Sequence, residues 1–174
     1  MKKMALLVSV LLILNSFSFS ASANDKVSVL IPDYQVIIDD SLVYYADSLY
    51  PFLNYKGITY IPMTYEYARA LNLTTGWLEG TAFMVAYNPC NDKLPVYETT
   101  ANKKYNAAVV PKGYNVYVNG KKIDNNIQEY PVLNFRNVTY FPLTWDYITN
   151  ELEWTYSFDF EKGLVINSAP LMNK

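Results

Sequence analysis

The stretch Gly57–Thr64, which reads GITYIPMT, returns 80 residues later as Asn137–Thr144, which reads NVTYFPLT. The likeness extends outward on both sides without a gap, from Tyr34–Tyr67 in the first copy to Tyr114–Tyr147 in the second, with 11 identities in 34 positions. Repetition of this kind is typical of duplicated modules, which build scaffolds and binding surfaces more often than catalytic centres. The sequence therefore predicts two copies of one structural unit.

Both copies carry hairpin signals in the same order. Asn119-Gly120 separates two strand-like segments in copy two, and Asn-Gly is a strong signal for a two-residue hairpin turn. Asp39-Asp40 occupies the same place in copy one. A second pair of short strand-like segments flanks positions 56–57 in copy one and 136–137 in copy two. Each copy is therefore predicted to contain two successive β-hairpins.

A short helix is predicted after the second hairpin of each copy. The prolines at positions 62 and 142 end the preceding strands, because proline has no N–H for a sheet ladder. Thr64 and Thr144 then stand at the N-cap position, where a hydroxyl can accept a hydrogen bond from the first turn. The helices are expected at Tyr65–Leu71 and Trp145–Asn150.

Asparagine and a last hairpin follow each predicted helix. Asn72 and Asn150 are expected to adopt the left-handed conformation that ends many helices. The last hairpin is expected at Gly76–Ala86 in copy one, and at Glu153–Tyr156 with Gly163–Asn167 in copy two. The predicted fold class is α+β, with two tandem repeats, each an antiparallel sheet of hairpins packed on one short helix.

The N-terminal segment has the features of an export signal. Lys2 and Lys3 precede the apolar run Met4–Leu14, and Ala21–Ala23 fits a small-residue cleavage motif, so cleavage is expected after Ala23. The apolar run is shorter than the about 20 residues that a membrane-spanning helix needs. We therefore expect a signal peptide over 1–23, a first repeat over 27–87, a linker over 88–108 and a second repeat over 109–168, with no membrane segment after cleavage.

Composition narrows the possible functions. Of the 14 basic residues, two lie in the signal segment, so 12 basic against 16 acidic residues leave a net charge of −4 after cleavage. Surfaces that bind nucleic acid need clustered Lys and Arg, which this balance does not supply. The chain has no histidine, which excludes imidazole copper ligands and Ser-His or Cys-His catalysis. Cys90 is the single cysteine and has no activating neighbour, so we expect neither a cofactor nor a metal.

The order of elements resembles the copper amine oxidase N-terminal-like domain, also called the stalk domain, of secreted proteins from Gram-positive bacteria. The segments that carry the resemblance are Val118–Lys121, Tyr130-Pro131, Asn137–Leu143 and Trp154 in copy two, and Gly57–Met63, Ala70–Asn72 and Trp77 in copy one. The family usually has Arg where Thr64 and Thr144 stand, and Gly at the helix ends. In amine oxidases this domain is an appendage, so the resemblance implies a module without copper or quinone chemistry.

Acidic residues are the remaining candidates for catalysis or metal binding. Asp39-Asp40 and the pair Glu151 and Glu153 are the possible acid and base groups. Glycosidase carboxylates must face each other across a cleft, however, and adjacent strand residues point to opposite faces. Asp33 and Asp47 complete a possible calcium-binding set whose spacing fits no EF-hand loop. The sequence favours structural and solvated roles for all of them.

Aromatic residues are the feature best suited to binding a ligand. Tyr44 and Tyr45 are neighbours on a predicted strand, so a one-sided sheet must expose at least one ring. Tyr65 and Trp145 occupy equivalent positions at the two predicted helix starts. Packing in the core is the alternative role, since strands select aromatic residues in any case. Both roles stay open at this point.

Together these patterns predict a secreted, non-catalytic binding or spacer module that acts at or outside the cell wall of a Gram-positive bacterium. Its expected partner is a cell-wall polymer or another secreted protein. One alternative is a carboxylate-dependent enzyme acting on a wall polysaccharide, which would hold two carboxylates about 5–10 Å apart in a concave pocket. The other is a secreted protein-binding or inhibitor module.

Overall fold

Each copy of the repeat folds into seven strands and one short helix in a computed structural model, which describes residues 24–78, 81–90, 92–113, 115–144 and 146–168. The predicted signal peptide, Tyr114 and Trp145 lie outside the described residues. Copy one contains β1 (Asp25–Leu30), β2 (Val36–Ile38), β3 (Ser41–Val43), β4 (Leu53–Tyr55), β5 (Ile58–Pro62), α1 (Tyr65–Ala70), β6 (Leu73–Leu78) and β7 (Ala82–Tyr87). Copy two contains β8 (Tyr105–Val110), β9 (Asn115–Val118), β10 (Lys121–Ile123), β11 (Leu133–Phe135), β12 (Val138–Pro142), the π-helix α2 (Asp146–Glu151), β13 (Thr155–Asp159) and β14 (Gly163–Asn167).

The predicted hairpin turns are confirmed in both copies. Asn119 and Gly120 have φ values of 47° and 81°, and Asp39 and Asp40 have 47° and 63°. Two successive left-handed residues define the type I′ turn, whose twist matches that of the flanking strands. The turns at positions 56–57 and 136–137 also consist of two successive residues with positive φ. Asp39, Asp40 and Asn119 adopt the left-handed conformation that glycine adopts most easily, because aspartate and asparagine tolerate it.

Helix α1 begins and ends as predicted, to within one residue. The Thr64 hydroxyl accepts a hydrogen bond from the Tyr67 N–H at 3.2 Å, which satisfies an otherwise unpaired donor of the first turn. Asn72 has a φ of 56° and turns the chain into β6. The N-cap role of Thr144 in copy two stays a prediction, while its carbonyl accepts from the Ile148 N–H at 2.9 Å.

Helix α2 is a π-helix because copy two contains one more residue here than copy one. Up to Tyr67 and Tyr147 the offset is 80, but the buried Leu71 corresponds to the buried Leu152, an offset of 81. The extra residue widens the turn, and the Leu152 N–H donates to the Tyr147 carbonyl five residues earlier at 3.0 Å. The prediction of a left-handed Asn150 is wrong for this reason: Asn150 lies inside α2, and Glu153 has the positive φ, of 57°.

A closed barrel of six antiparallel strands, in the order β1-β4-β5-β12-β11-β8, forms the centre of the molecule. Three strands come from each copy. Strands β5 and β12 meet around the pair Ile61 and Phe141, which are equivalent in the repeat. The Met63 N–H donates to the Thr139 carbonyl at 2.7 Å, and the Leu143 N–H donates to the Thr59 carbonyl at 2.9 Å. The two copies are thus related by an approximate two-fold axis through this strand pair.

Two smaller mixed sheets exchange hairpins between the copies. The hairpin β6-β7 of copy one joins β9-β10 of copy two, and β13-β14 of copy two joins β2-β3 of copy one. The central pairs β7-β9 and β14-β2 are parallel. The predicted α+β arrangement, in which each repeat has its own antiparallel sheet, is corrected by this topology to a mostly β fold with two short helices. Exchange covers strand edges that a unit of this size would leave open.

One hydrophobic core runs through both copies and contains the fully buried Trp154, Tyr60 and Tyr140. Strand β8 begins at Tyr105, within the predicted linker, and the rest of that linker packs against copy one through Leu94 and Tyr97. No helix in the described part of the chain is long and apolar enough to cross a membrane.

Candidate functional site

The structure separates the four aromatic residues that the sequence singled out. Tyr44 is 83% exposed and Tyr65 is 69% exposed, whereas Tyr45 is only 5% exposed. The Tyr45 hydroxyl donates to the Tyr34 carbonyl at 2.5 Å, and its ring stacks on Phe52 at 5.0 Å between centroids. Burial raises the pKa of the Tyr45 hydroxyl. Tyr45 therefore serves the core, while Trp145 lies outside the described residues.

Tyr44 and Tyr65 occupy different surroundings. Tyr44 lines a shallow cavity of about 230 Å³ together with Tyr34 and Leu42, and Tyr65 is not part of that lining. Tyr65 lies on α1, where the Arg69 guanidinium is 5.6 Å from its ring centroid. The two rings do not form one aromatic platform, and a ligand-binding role for either stays a prediction.

Asp39, one of the acidic residues considered for catalysis, has structural partners. Asp39 accepts hydrogen bonds from the Ser168 N–H at 2.7 Å and from the Ser168 hydroxyl at 2.5 Å. Its counterpart Asn119 accepts from the Tyr87 N–H at 2.8 Å. Each first hairpin is thus fixed to the end of a strand from the other copy. Among the described residues, no three His, Cys, Asp or Glu side chains lie together in a way that could hold a metal ion.

A groove of about 690 Å³ lies in copy two between β10, the loop that follows it, and α2. We call it the copy-two groove; its central lining residues are Asp124, Ile127, Tyr130, Thr144, Asp146 and Tyr147. Ile127 is 78% exposed, which is unusual for a large aliphatic side chain. Burial, followed by the charges of Asp146 and Glu151, raises the pKa of Tyr147 to about 12.

One wall of the copy-two groove is held by an ion pair. The Lys121 ammonium lies 2.5 Å from a carboxylate oxygen of Glu151, and hydrogen bonding to that carboxylate raises the pKa of Lys121. The Asn119 side-chain amide also donates to the Glu151 carbonyl. These contacts join the β9-β10 hairpin to the end of α2, so the two sides of the groove are fixed relative to each other.

The equivalent groove in copy one is filled by the chain itself. Tyr97, from the segment 92–100 between the copies, places its hydroxyl 2.5 Å from the Thr64 hydroxyl and donates to Glu66 at 3.0 Å. Its ring meets Tyr50 edge-on at 5.1 Å and packs on Tyr67 at 5.6 Å between centroids. Tyr97 is the residue that anchors this segment in copy one.

Backbone hydrogen bonds complete the attachment of the segment. The Leu49 N–H donates to the Glu98 carbonyl at 2.9 Å, and the Thr100 N–H donates to the Asp47 carbonyl at 2.7 Å. Ser48 and Thr99 form the antiparallel bridge between these two bonds. The segment is therefore added to the loop after β3 as a short extra strand.

The residues that hold Tyr97 recur in the copy-two groove. At an offset of 80, Tyr50, Thr64 and Tyr67 correspond to Tyr130, Thr144 and Tyr147, and Glu66 corresponds to Asp146. The repeat alignment contains these matches, but helix capping and core packing are sufficient to explain them from the sequence alone. The groove could have been predicted from Tyr97 in the predicted linker. A tyrosine that lies between two copies of one groove in the sequence is a candidate to occupy the groove of the first copy.

The resemblance of the repeat motifs to the stalk domain stays a prediction. Its residues lie mainly in the barrel strands β5 and β12 and in the hairpin turns, which are structural positions. Comparison of the chain with protein-family models, with curated proteins and with solved structures found no match.

Proposed function

We propose that this protein is an exported, non-catalytic binding module that acts at or outside the cell wall and holds its ligand in the copy-two groove. The observation that carries the proposal is the contrast between the copies. The groove that copy one fills with Tyr97 has no occupant from the described residues in copy two, although Thr144, Asp146 and Tyr147 retain the lining. The predicted export signal and the resemblance to stalk domains support the location.

The state of the groove's carboxylates favours binding over catalysis. Asp124 accepts hydrogen bonds from the backbone N–H of Asn126 at 3.0 Å and from its side-chain amide at 2.9 Å, which lower the pKa of Asp124. Glu151 is paired with Lys121. A general acid needs a carboxyl group whose pKa is raised toward the working pH. Hydrogen bonding shifts the pKa of Asp124 in the opposite direction, which argues against Asp124 as the general acid of a carboxylate-dependent enzyme.

Two binding assays test the proposal: sedimentation with insoluble peptidoglycan, and capture of partners from culture supernatant. The informative variant is Ile127→Arg, which places a charged side chain in the groove at a position that is 78% exposed. Val96→Arg is the matched control, because Val96 is 97% exposed on the segment of copy one. We expect wild type and Val96→Arg to bind equally and Ile127→Arg to lose binding. Full binding by Ile127→Arg would exclude the groove as the site.

The same preparations distinguish the enzymatic alternative. Wild-type protein incubated with purified wall is expected to release no soluble sugar or peptide fragments. Release that is abolished in Asp124→Asn or Asp146→Asn, in protein that melts like wild type, would instead support an enzyme.

A further inference from the structure

We infer that the copy-two groove binds an extended peptide segment in which a tyrosine is followed by a basic residue, in the way that copy one holds its own segment 92–100. The inference rests on the proposed function, because it names the ligand of the same groove. Three features of the structure support it: the tyrosine-binding side chains, an exposed backbone edge, and the charge of the lining.

The tyrosine follows from the side chains at the end of the groove. In copy one a hydroxyl and a carboxylate, from Thr64 and Glu66, bind the Tyr97 hydroxyl, and two tyrosine rings contact its ring. Copy two keeps the hydroxyl in Thr144, the carboxylate in Asp146, and both rings. Thr144 is half-buried and Asp146 is exposed. A hydroxyl and a carboxylate placed in this way can both hydrogen-bond a phenol, whereas a plain aromatic ring offers them no hydrogen-bond partner, so the phenol is favoured.

The extended conformation follows from the backbone of the loop after β10. Leu49 and Asp47, whose N–H and carbonyl bind the segment in copy one, correspond to Glu129 and Ile127. Within the described parts of the chain, neither the Glu129 N–H nor the Ile127 carbonyl has a hydrogen-bond partner. A donor and an acceptor two residues apart form an edge to which an extended peptide can add as a strand.

The basic residue follows from the positions at which the copies differ. The lining of the copy-two groove contains four carboxylates and two lysines, a balance of 2 − 4 = −2, and one lysine is already paired with Glu151. Glu129 stands where copy one has Leu49, whose N–H binds the carbonyl of Glu98, the residue after Tyr97. A ligand residue in that place lies beside the Glu129 carboxylate, so lysine or arginine is favoured over glutamate there.

The amino-terminal end of the ligand is expected to differ from the segment of copy one. There Arg69 of α1 binds Asp92 through an ion pair of 2.5 Å. Helix α2 reads DYITNE and has no basic residue to take that part. An acidic residue five positions before the tyrosine is therefore not required, and the recognised element is the tyrosine, its basic neighbour and the strand around them.

Fluorescence anisotropy of labelled peptides with the full chain tests the inference. The probe LPVYKTT copies residues 94–100 with lysine in place of Glu98. We expect it to bind, LPVFKTT to bind about tenfold more weakly because one hydrogen-bonded hydroxyl is lost, and LPVYETT to bind several-fold more weakly in a salt-dependent manner. Absence of binding by LPVYKTT, or equal binding by LPVAKTT, would overturn the inference.

Protein variants locate the binding. Ile127→Arg is expected to weaken LPVYKTT at least tenfold and Val96→Arg to leave it unchanged. Glu129→Lys, an exposed charge reversal, is expected to invert the preference so that LPVYETT becomes the tighter ligand. An unchanged preference in Glu129→Lys, or unchanged affinity in Ile127→Arg, contradicts the assignment.

Failure of the inference and failure of the proposed function give different results. If no peptide binds but sedimentation with peptidoglycan is lost in Ile127→Arg, the ligand is a glycan and only the peptide inference falls. If Ile127→Arg changes neither peptide binding nor sedimentation nor capture of a partner, the groove is not a binding site and both fall.

Discussion

Replacement of Asp39 tests the hairpin exchange that joins the two copies. Asp39 lies at the first position of the β2-β3 turn with a φ of 47°, and its carboxylate binds the N–H and hydroxyl of Ser168 at 2.7 and 2.5 Å. Ser168 is fully buried and directly follows β14 of copy two. This contact is therefore a side-chain link between the copies at the end of the central strand pair β14-β2 of a shared sheet.

The expected cost of Asp39→Ala is about 3 kcal/mol. Each hydrogen bond to the exposed carboxylate contributes about 1 kcal/mol, and the Ser168 N–H remains buried without this acceptor. Alanine in the left-handed conformation adds about 1 kcal/mol. Asp39→Asn keeps both the conformation and an acceptor oxygen, as Asn119 does toward Tyr87 in copy two, and is expected to cost only about 1 kcal/mol.

Urea denaturation followed by circular dichroism measures both variants. The midpoints should fall in the order wild type, Asp39→Asn, Asp39→Ala, with an unchanged m value, since the surface exposed on unfolding is the same. The expected difference of about 2 kcal/mol between the two variants comes from the acceptor and the backbone conformation that asparagine retains. The reasoning is refuted if the free energy of unfolding of Asp39→Ala is within about 0.5 kcal/mol of that of wild type. It is also refuted if asparagine lowers the stability as much as alanine does.

Four further predictions follow from single contacts. Tyr97→Phe is expected to lower the free energy of unfolding by about 1 kcal/mol, because the hydrogen bonds of its hydroxyl are lost. Tyr140→Phe is not expected to lower it, because the buried Tyr140 hydroxyl has no partner among the described residues. Urea titrations compare the two variants, and an equal loss of stability in both would contradict the assignment. Thr64→Ala is expected to cost about 1 kcal/mol through the lost cap, seen as a lower melting temperature than that of Val96→Arg. Hydrogen bonding to Arg69 lowers the pKa of Asp92. Wild type is therefore expected to be more stable than Asp92→Asn above the ordinary Asp pKa of 3.8, and to lose this advantage as the pH falls through the lowered pKa. An advantage that grows in acid would contradict this pH dependence. The chain is expected to retain no stoichiometric copper after dialysis against a weak chelator, because it has no imidazole ligand; metal analysis measures this.

Local features of the fold could be predicted because adjacent residues determine them. The turns at Asn119-Gly120 and Asp39-Asp40, the cap at Thr64 and the left-handed Asn72 all depend on conformations that these residue types favour. The π-helix corresponds to a one-residue insertion that the sequence contains, since Leu71 matches Leu152 only when the offset between the copies increases from 80 to 81. An alignment extended past the helix with one gap would have located it.

The exchange of hairpins could not be predicted from the same patterns. Strand β7 buries Phe83 and Val85, and β9 buries Val116 and Val118. Alternation of this kind shows which face of a strand is buried, but it does not show which copy supplies the neighbouring strand, because equivalent strands have the same alternation. Which copy supplies the neighbouring strand depends on how the chain connects the strands and on which strand edges remain unpaired, and both are properties of the assembled barrel.

Identity between the copies has two physical origins that the sequence alone does not separate. Tyr60 and Tyr140 are identical and fully buried in the core, where a side chain of another size would cost stability. Thr64 and Thr144, by contrast, lie in grooves that have different occupants, Tyr97 in one and none from the described residues in the other. Selection for the barrel preserves the first pair whatever the protein binds.

The differences between the grooves are therefore more informative about function than the identities. Asp47 and Leu49 of copy one bind the segment 92–100, which the chain connects to both copies. Because the segment is held nearby by these connections, its attachment needs little affinity of its own. Ile127 and Glu129 replace them in copy two and present an exposed aliphatic side chain and a charge beside a free backbone edge. An untethered ligand must gain affinity from such contacts to offset the freedom that it loses on binding. These two positions are where a change of residue is expected to alter which ligand is bound while the barrel remains the same.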